Sequence, residues 1–82
     1  MFYAYVLKNP FGILYKGSTR DLRHRINQHN GQIDYPSFTK KRGPWKLAYS
    51  EEFTTRSEAM KRERFFKTGK GRDFLKTVIK DI

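Results

Sequence analysis

Two blocks of apolar residues near the start of the chain predict a β-hairpin. Residues 2–7 are rich in aromatic and branched side chains, and residues 13–17 resume this character after a turn-forming cluster at residues 9–12. Whether the loop has an odd or an even number of residues decides on which faces of the sheet the two tyrosines lie. An odd number of loop residues sets Tyr5 opposite Tyr15 on one face of the sheet, whereas an even number sends the two rings to opposite faces.

A helix is predicted to follow, over about residues 20–30. Ser18 or Thr19 can accept a hydrogen bond from its first turn, and Asp21 suits the positive end of the helix dipole. An Asn-Gly dipeptide at residues 30–31 is expected to end this helix. The polar, turn-rich residues 31–44 then predict a loop with at most one short turn of helix.

Three further elements complete the predicted order ββαβαα. Residues 45–53 predict a strand with three alternating large side chains, Trp45, Leu47 and Tyr49. A helix begins at the cap residues near position 54, runs to about residue 68, and ends at a Gly-Lys-Gly segment. Apolar residues at helical spacing predict a short last helix over residues 72–79.

Size and composition indicate one small, strongly basic domain. The 82 residues predict a single domain over residues 1–82, and the absence of cysteine excludes disulfides, thiolate zinc sites and a cysteine nucleophile. The formal net charge is +10, and nearly all of the excess lies in the two predicted helical regions. Such a field attracts polyanions, so nucleic acid is the first candidate partner.

Membrane binding is not expected. The longest apolar stretch, residues 2–7, is far shorter than a membrane span or a signal peptide. The predicted helices also turn their aromatic residues toward a core and leave no continuous apolar face exposed. A soluble, cytoplasmic protein is therefore expected.

Glu63 occupies an unusual position in the pattern. At about 100° per residue, the predicted helix places Glu63 on the apolar face that it shares with Ala59 and Phe66. A carboxylate among core residues is costly unless it is paired, hydrogen-bonded or bound to a cation. Two interpretations follow: a structural salt bridge with one of the arginines, or a metal ligand that faces a cleft.

Other candidate residues carry a weaker signal in isolation. Arg25 and His29 lie one turn apart beside the core stripe of the first helix, where a surface role is the commoner one. Tyr5 and Tyr15 suit half-buried strand positions. With two histidines and no cysteine, a zinc site is not expected.

Four short motifs occur in order along the chain: Tyr3-Ala4-Tyr5, Tyr15-Lys16-Gly17, residues 21–31, and Arg62-Glu63 followed by Lys67. In this order and spacing they resemble the GIY-YIG nuclease superfamily. The similarity is greatest to its small stand-alone members, which are related to the N-terminal catalytic domain of an excinuclease, and it spans residues 3 to about 76. The resemblance implies an α+β fold with a three-stranded antiparallel sheet flanked by helices.

The resemblance also implies a metal-dependent DNA endonuclease that hydrolyses phosphodiester bonds, with DNA repair or recombination as its setting. The implied catalytic residues are Tyr5, Tyr15, Arg25, His29 and Glu63. A shared site requires an odd hairpin loop or a bulge, and both phenol oxygens are then expected on the face of the sheet that also receives Arg25 and Glu63. Glu63 would bind Mg²⁺ or Mn²⁺, and Arg25 would offset charge on the phosphoryl oxygens. The proton of the attacking water would be relayed by a tyrosine, with Tyr5 favoured and Tyr15 orienting it, or by His29. The candidate phosphate contacts are Lys16, Lys40, Lys41, Arg42 and Lys70.

Two features depart from the family pattern. The first motif reads Tyr-Ala-Tyr where Gly-Ile-Tyr is the name-giving form, and the asparagine that many members use after the glutamate is missing. The alternative function is therefore a non-catalytic nucleic-acid-binding module on the same scaffold, which would clamp phosphates and stack bases without cutting. A role in protein interaction alone does not account for the charge.

Overall fold

A computed structural model describes residues 1–29 and 44–79 of the chain. Within these ranges the elements follow in the predicted order, ββαβαα. They are β1 (Phe2–Lys8), β2 (Leu14–Thr19), α1 (Leu22–His29), β3 (Lys46–Phe53), α2 (Arg56–Phe66) and α3 (Gly69–Val78). None of the helices in this part of the chain is long and apolar enough to cross a membrane. The predicted Asn-Gly stop and most of the predicted loop lie outside the described residues.

The three strands form one antiparallel sheet in the order β2-β1-β3, as the resemblance implies. β1 lies in the centre of the sheet, and other residues pack on both of its faces. Its residues Ala4, Tyr5, Val6 and Leu7 are all 0% exposed. This burial explains the continuous apolar run at the start of the chain. β2 lies at one edge of the sheet, where a ligand can approach it from the side.

Different helices cover the two faces of the sheet. Ala4 and Val6 belong to a core with residues of α2 and α3, and we call their side the α2 face. Tyr5 and Leu7 pack against Trp45 and residues of α1, and we call their side the α1 face. Successive residues of a strand point to opposite faces of the sheet. The faces of the β1 residues therefore fix the faces of the residues that pair with them in β2 and β3.

A bulge in β3 interrupts the predicted alternation of large side chains. Residues 6–7 of β1 pair with Tyr49 and Leu47, which leaves Ala48 as an inserted residue. Trp45 consequently packs on the α1 face, whereas Tyr49 packs on the α2 face. The prediction that these side chains alternate along a regular strand is therefore wrong, because the inserted residue moves the rest of the strand by one position.

Arg62 fixes α2 against the sheet. Its Nε and Nη2 atoms donate to the two carboxylate oxygens of Glu51 in β3, at 2.8 Å and 3.2 Å. Tyr49 donates to the same carboxylate, and the guanidinium lies 4.5 Å from the ring centroid of Phe65. These contacts set the height and rotation of α2, and with them the position of the neighbouring Glu63.

Asp21 caps α1 in place of the predicted Ser18 or Thr19. Its Oδ1 atom accepts a hydrogen bond from the amide of His24 at 3.0 Å, which satisfies a free donor in the first turn. Thr19 accepts from the amide of Asp21 at 3.1 Å and so orders the residues before the helix. The predicted cap was too early, and Ser18 is left available for another contact.

The Gly-Lys-Gly segment begins α3 instead of only ending α2. Thr68 caps α3 by accepting a hydrogen bond from the amide of Gly71 at 3.0 Å. A Cβ atom on Gly71 would overlap the carbonyl oxygen of Phe65 in α2. The glycine therefore allows the two helices to approach closely. The sequence pattern predicts only the end of a helix here, because it contains no sign of this contact between helices.

Candidate active site

Tyr5 and Tyr15 lie on the same side of the sheet, the α1 face. The loop between β1 and β2 has an odd number of residues, as a shared face requires. The loop is centred on Phe11, however, so Tyr5 pairs with Gly17 and Tyr15 pairs with Leu7. The prediction that the two tyrosines lie directly opposite each other is wrong. They are diagonal neighbours, and their ring centroids are 6.4 Å apart.

Gly17 makes room for the ring of Tyr5. A Cβ atom at position 17 would lie 2.5 Å from the phenol oxygen of Tyr5, which is itself 0% exposed. The glycine of the second motif is thus explained by the approach of a buried ring. Tyr15 is half-buried and packs edge-on against Trp45, with ring centroids 6.3 Å apart. Of the two tyrosines, Tyr15 has the greater access to solvent.

Arg25 is half-buried on α1 and lines a cavity of about 260 Å³. The cavity lies between α1, the end of β2 and α2, and Ser18 and Met60 belong to its wall. Arg20 and Arg56 line the same cavity and add positive charge to it. This arrangement suits an anionic group.

Glu63 lies on the side of α2 that faces the sheet, as its spacing predicted. Ala59 and Phe66 are buried on the same helix, and the side chain of Glu63 is 22% exposed. Its Oε1 atom accepts a hydrogen bond from the hydroxyl of Ser18 at 2.7 Å, and its Oε2 atom lies 2.9 Å from the Nζ atom of Lys67. The salt-bridge partner is therefore a lysine one turn later, and not an arginine as expected.

Ser18 lies at the end of β2, where it contacts Glu63 and borders the cavity of Arg25. Its hydroxyl donates to Glu63, and the residue lines the cavity that Arg25 also lines. The sequence indicates Ser18 only as a possible cap, and its contact with Glu63 was missed. The sequence held no local signal for this contact, because alternation along β2 does not show which face α2 covers.

The tyrosine rings and Glu63 lie on opposite sides of the sheet. Tyr5 and Tyr15 pack on the α1 face, whereas α2 packs on the other face through Phe66. The prediction that the phenol oxygens share one face with Glu63 is wrong. Strand parity is the reason, because the contact partner of Glu63 is Ser18, which has the opposite parity to the tyrosines.

Lys16 belongs to a cationic cluster beside Glu63. Burial lowers the pKa of Lys16 below its ordinary value, and the charges of Arg72 and Lys67 lower it further. Lys16 and Arg72 also line a cavity of about 240 Å³ together with Lys76. Crowding of like charges is unfavourable, so a bound anion would stabilise this part of the molecule.

The remaining candidate residues are less informative. Lys70 is exposed in the first turn of α3. His29 is the last residue of α1, but its side chain lies outside the described part of the structure, as do residues 40–42. Of the candidate phosphate contacts in the described part of the chain, Lys16 is the one that lies on the same face of β2 as Ser18, the partner of Glu63.

Comparison with known proteins agrees with the motifs and the fold. The GIY-YIG catalytic domain family matches residues 1–76. The chain is 45% identical over 65 residues to the UPF0213 protein SAG0778 of Streptococcus agalactiae, covering 79% of this chain and 73% of that protein. It is 44% identical over 66 residues to the UPF0213 protein SSP2268 of Staphylococcus saprophyticus, covering 80% and 79%.

A solved structure is also similar. The solution NMR structure of the UPF0213 protein BH0048 from Bacillus halodurans matches with a TM-score of 0.55 and 30% identity, covering 94% of this chain and 84% of that one. The resemblance suggested by the motifs is therefore confirmed, and the chain belongs to the GIY-YIG catalytic domain family, a family of nucleases.

Proposed function

We propose that this protein is a divalent-metal-dependent endonuclease that hydrolyses phosphodiester bonds in DNA. The observation that carries the proposal is the contact of Glu63 with Ser18 on the outer strand of the sheet. Ser18 lines the cavity that Arg25 also lines, and it lies two residues from Lys16 in the cationic cluster. A carboxylate beside several cations can place a metal ion and a phosphate next to each other. Membership of a nuclease family supports the same reaction.

Glu63 is the residue that would hold the metal. No three His, Cys, Asp or Glu side chains gather in the described part of the chain, and Glu63 is the partly exposed carboxylate that lies against the outer strand. One carboxylate completed by water and phosphate oxygens suits Mg²⁺ or Mn²⁺. The chemistry that such an ion supplies is polarisation of the scissile phosphate and stabilisation of the leaving oxygen.

Lys67 is placed to exchange partners in this site. Its ammonium group lies 2.9 Å from Glu63 Oε2, and it would occupy the position that a metal ion takes on the carboxylate. The side chain of Lys67 is 54% exposed, and it lies close enough to Lys16 to help lower the pKa of that residue. Lys67 can therefore turn toward a bound phosphate at small cost. Lys67 would then neutralise Glu63 in the absence of substrate and would release the carboxylate when substrate binds.

Arg25 and Tyr15 are the proposed partners of Glu63 in the reaction. Arg25 would offset the charge that develops on the phosphoryl oxygens. Because Tyr5 is fully buried and Tyr15 has access to solvent, the roles expected from the sequence are exchanged here: Tyr15 would relay the proton and Tyr5 would orient it. His29 is the alternative relay. The proposed setting is DNA repair or recombination in the cytoplasm.

A non-catalytic nucleic-acid-binding module is the second candidate. Both carboxylate oxygens of Glu63 are already engaged, by Ser18 and Lys67, as they would be in a purely structural residue. The tyrosines lie across the sheet from this carboxylate. The two functions share a fold and a charge distribution, and they differ in whether a strand is cut.

Incubation with flapped, branched and linear DNA distinguishes the two functions. We expect the wild-type protein to cut at least one substrate in Mg²⁺ or Mn²⁺ and none in EDTA. Glu63→Gln should lower the rate more than about a hundredfold, since loss of metal-assisted stabilisation is worth several kcal/mol. Glu52→Gln is the matched control, because Glu52 is an exposed residue of β3 and the change in charge is the same.

Wild-type protein that binds these DNAs without cutting any of them in either metal would instead establish the binding module. Cleavage by Glu63→Gln at the wild-type rate would show that Glu63 is a structural residue.

A further inference from the structure

The loop between β1 and β2 is held rigid by its own hydrogen bonds. Asn9 is 4% exposed, and its Oδ1 atom accepts from the amides of Phe11 at 3.0 Å and Ile13 at 2.8 Å. The amide of Asn9 donates to the carbonyl of Ile13 at 3.1 Å, and Gly12 adopts the left-handed conformation with φ of 81°. The tip of the hairpin is therefore preorganised, and a ligand bound there does not have to order it.

This rigid tip presents an apolar surface to solvent. Phe11 is 80% exposed and Ile13 is 44% exposed, and Pro10 and Gly12 between and beside them are exposed too. These four exposed residues are consecutive, and the ring of Phe11 projects from them into solvent. An exposed aromatic ring on a hydrogen-bonded loop is suited to stacking against another planar group.

The cationic cluster leads from Glu63 to this tip. Along the α2 face of β2, Ser18 contacts Glu63, Lys16 lies in the cluster, and Leu14 lines the cavity shared with Arg72 and Lys76. We call the four cations of this surface the β2 track: Lys16, Lys67, Arg72 and Lys76. At about 3.4 Å per strand residue, the track and the tip together extend roughly 20 Å from Ser18.

We propose that the β2 track holds the phosphates of an extended single strand of nucleic acid, and that Phe11 stacks on one of its bases. The inference rests on the proposed function only in that the strand leads to Glu63. Stacking requires an unpaired base, since the faces of paired bases are covered in a duplex. The preferred substrate class is therefore DNA with an unpaired segment next to the scissile phosphate.

Binding to a short fluorescein-labelled oligothymidine, followed by fluorescence anisotropy in EDTA, tests this inference without cleavage. Phe11→Ala should weaken binding about 5- to 150-fold, the range for loss of one base–aromatic stack, and should leave binding to a blunt duplex unchanged. Phe11→Trp should preserve binding. Leu47→Ala is the control, because Leu47 is 44% exposed but lies on β3 at the opposite edge of the sheet.

The phosphate contacts have a separate readout in the salt dependence. Arg72→Gln and Lys76→Gln should each reduce the slope of log affinity against log salt by about 0.7, the value per phosphate on a single strand. Lys61→Gln is the matched control, because Lys61 is exposed on α2 and takes no part in the track. Circular dichroism verifies that each variant is folded.

The inference is overturned if Phe11→Ala binds the oligothymidine as the wild type does, or if it weakens single-strand and duplex binding equally. A protein that binds single strands through Phe11 and never cuts them would contradict the proposed nuclease and support this inference. A nuclease that is indifferent to Phe11→Ala in the binding assay would overturn this inference alone.

Discussion

Replacement of Gly17 by alanine should destabilise the protein through the ring of Tyr5. The new Cβ atom would lie 2.5 Å from the phenol oxygen, 2.7 Å from Cζ and 3.0 Å from Cε1 of that ring. Tyr5 is 0% exposed in the central strand, so the ring cannot turn away into solvent. Either the ring or the backbone of β2 has to move.

The cost can be bounded from these contacts. Overpacking a well-filled core costs about 1–3 kcal/mol, and three close contacts with a fully buried ring place Gly17→Ala in the upper part of that range. Alanine returns about 0.5–1 kcal/mol, because glycine is unfavourable within a strand. The expected net loss of unfolding free energy is about 1–2.5 kcal/mol. For a domain of this size it corresponds to a fall in Tm of roughly 4–20 °C.

Thermal and urea unfolding, followed by circular dichroism, measure this loss. Gly69→Ala is the matched control, because nothing lies within 4 Å of a Cβ at that position, and it should be neutral or slightly stabilising. In a Tyr5→Phe background the cost of Gly17→Ala should be smaller, since the closest contacting atom is gone. A Gly17→Ala protein as stable as the wild type would refute the close packing of this ring on β2.

Two further predictions concern ionisable groups. Lys67→Met should tighten Mn²⁺ binding by at least about twofold in isothermal titration calorimetry, because it removes the ammonium that competes for Glu63; weaker binding, or the same gain in Lys61→Met, would contradict the partner exchange. Burial, with the hydrogen bond to Glu51, raises the pKa of Tyr49 from 10.0 to about 12. The folded state therefore holds this proton more tightly, and its contribution to stability is complete below pH 10 and lost as the pH rises toward 12. Urea unfolding across that range should show a shallower decline in Tyr49→Phe than in the wild type, and identical declines would contradict the assignment.

Local patterns were sufficient to predict the order of the elements. The apolar run of β1 and the capping residues before α2 are signals that act over a few residues, and both elements lie where they were expected. The start of α3 was predicted wrongly because Gly71 meets a tertiary need, the close approach of Phe65. The bulge at Ala48 was also missed, since nothing in the local pattern of β3 marks an inserted residue.

Motif spacing does not show on which face of the sheet each residue of the candidate site lies. The apolar position of Glu63 was visible from helical spacing, but its sheet partner was not. That partner, Ser18, became identifiable only once the register of β2 and the packing of α2 were known. A motif fixes which residues are near each other along the chain, whereas the side of the sheet on which they act is set by the helix that covers each face.

The second motif therefore contributes to both sides of β2. Tyr15 and Gly17 face α1, whereas Lys16 and the following Ser18 face α2, and Ser18 contacts the carboxylate of Glu63. A phosphate that contacts Tyr15 and the Glu63 side together has to lie over the outer edge of β2, because the body of the sheet separates the two groups. This edge is unpaired among the described strands, so the backbone of β2 is open there. Under the proposed function, a chain that added a strand to β2 would cover this edge and abolish cleavage without touching Tyr15 or Glu63.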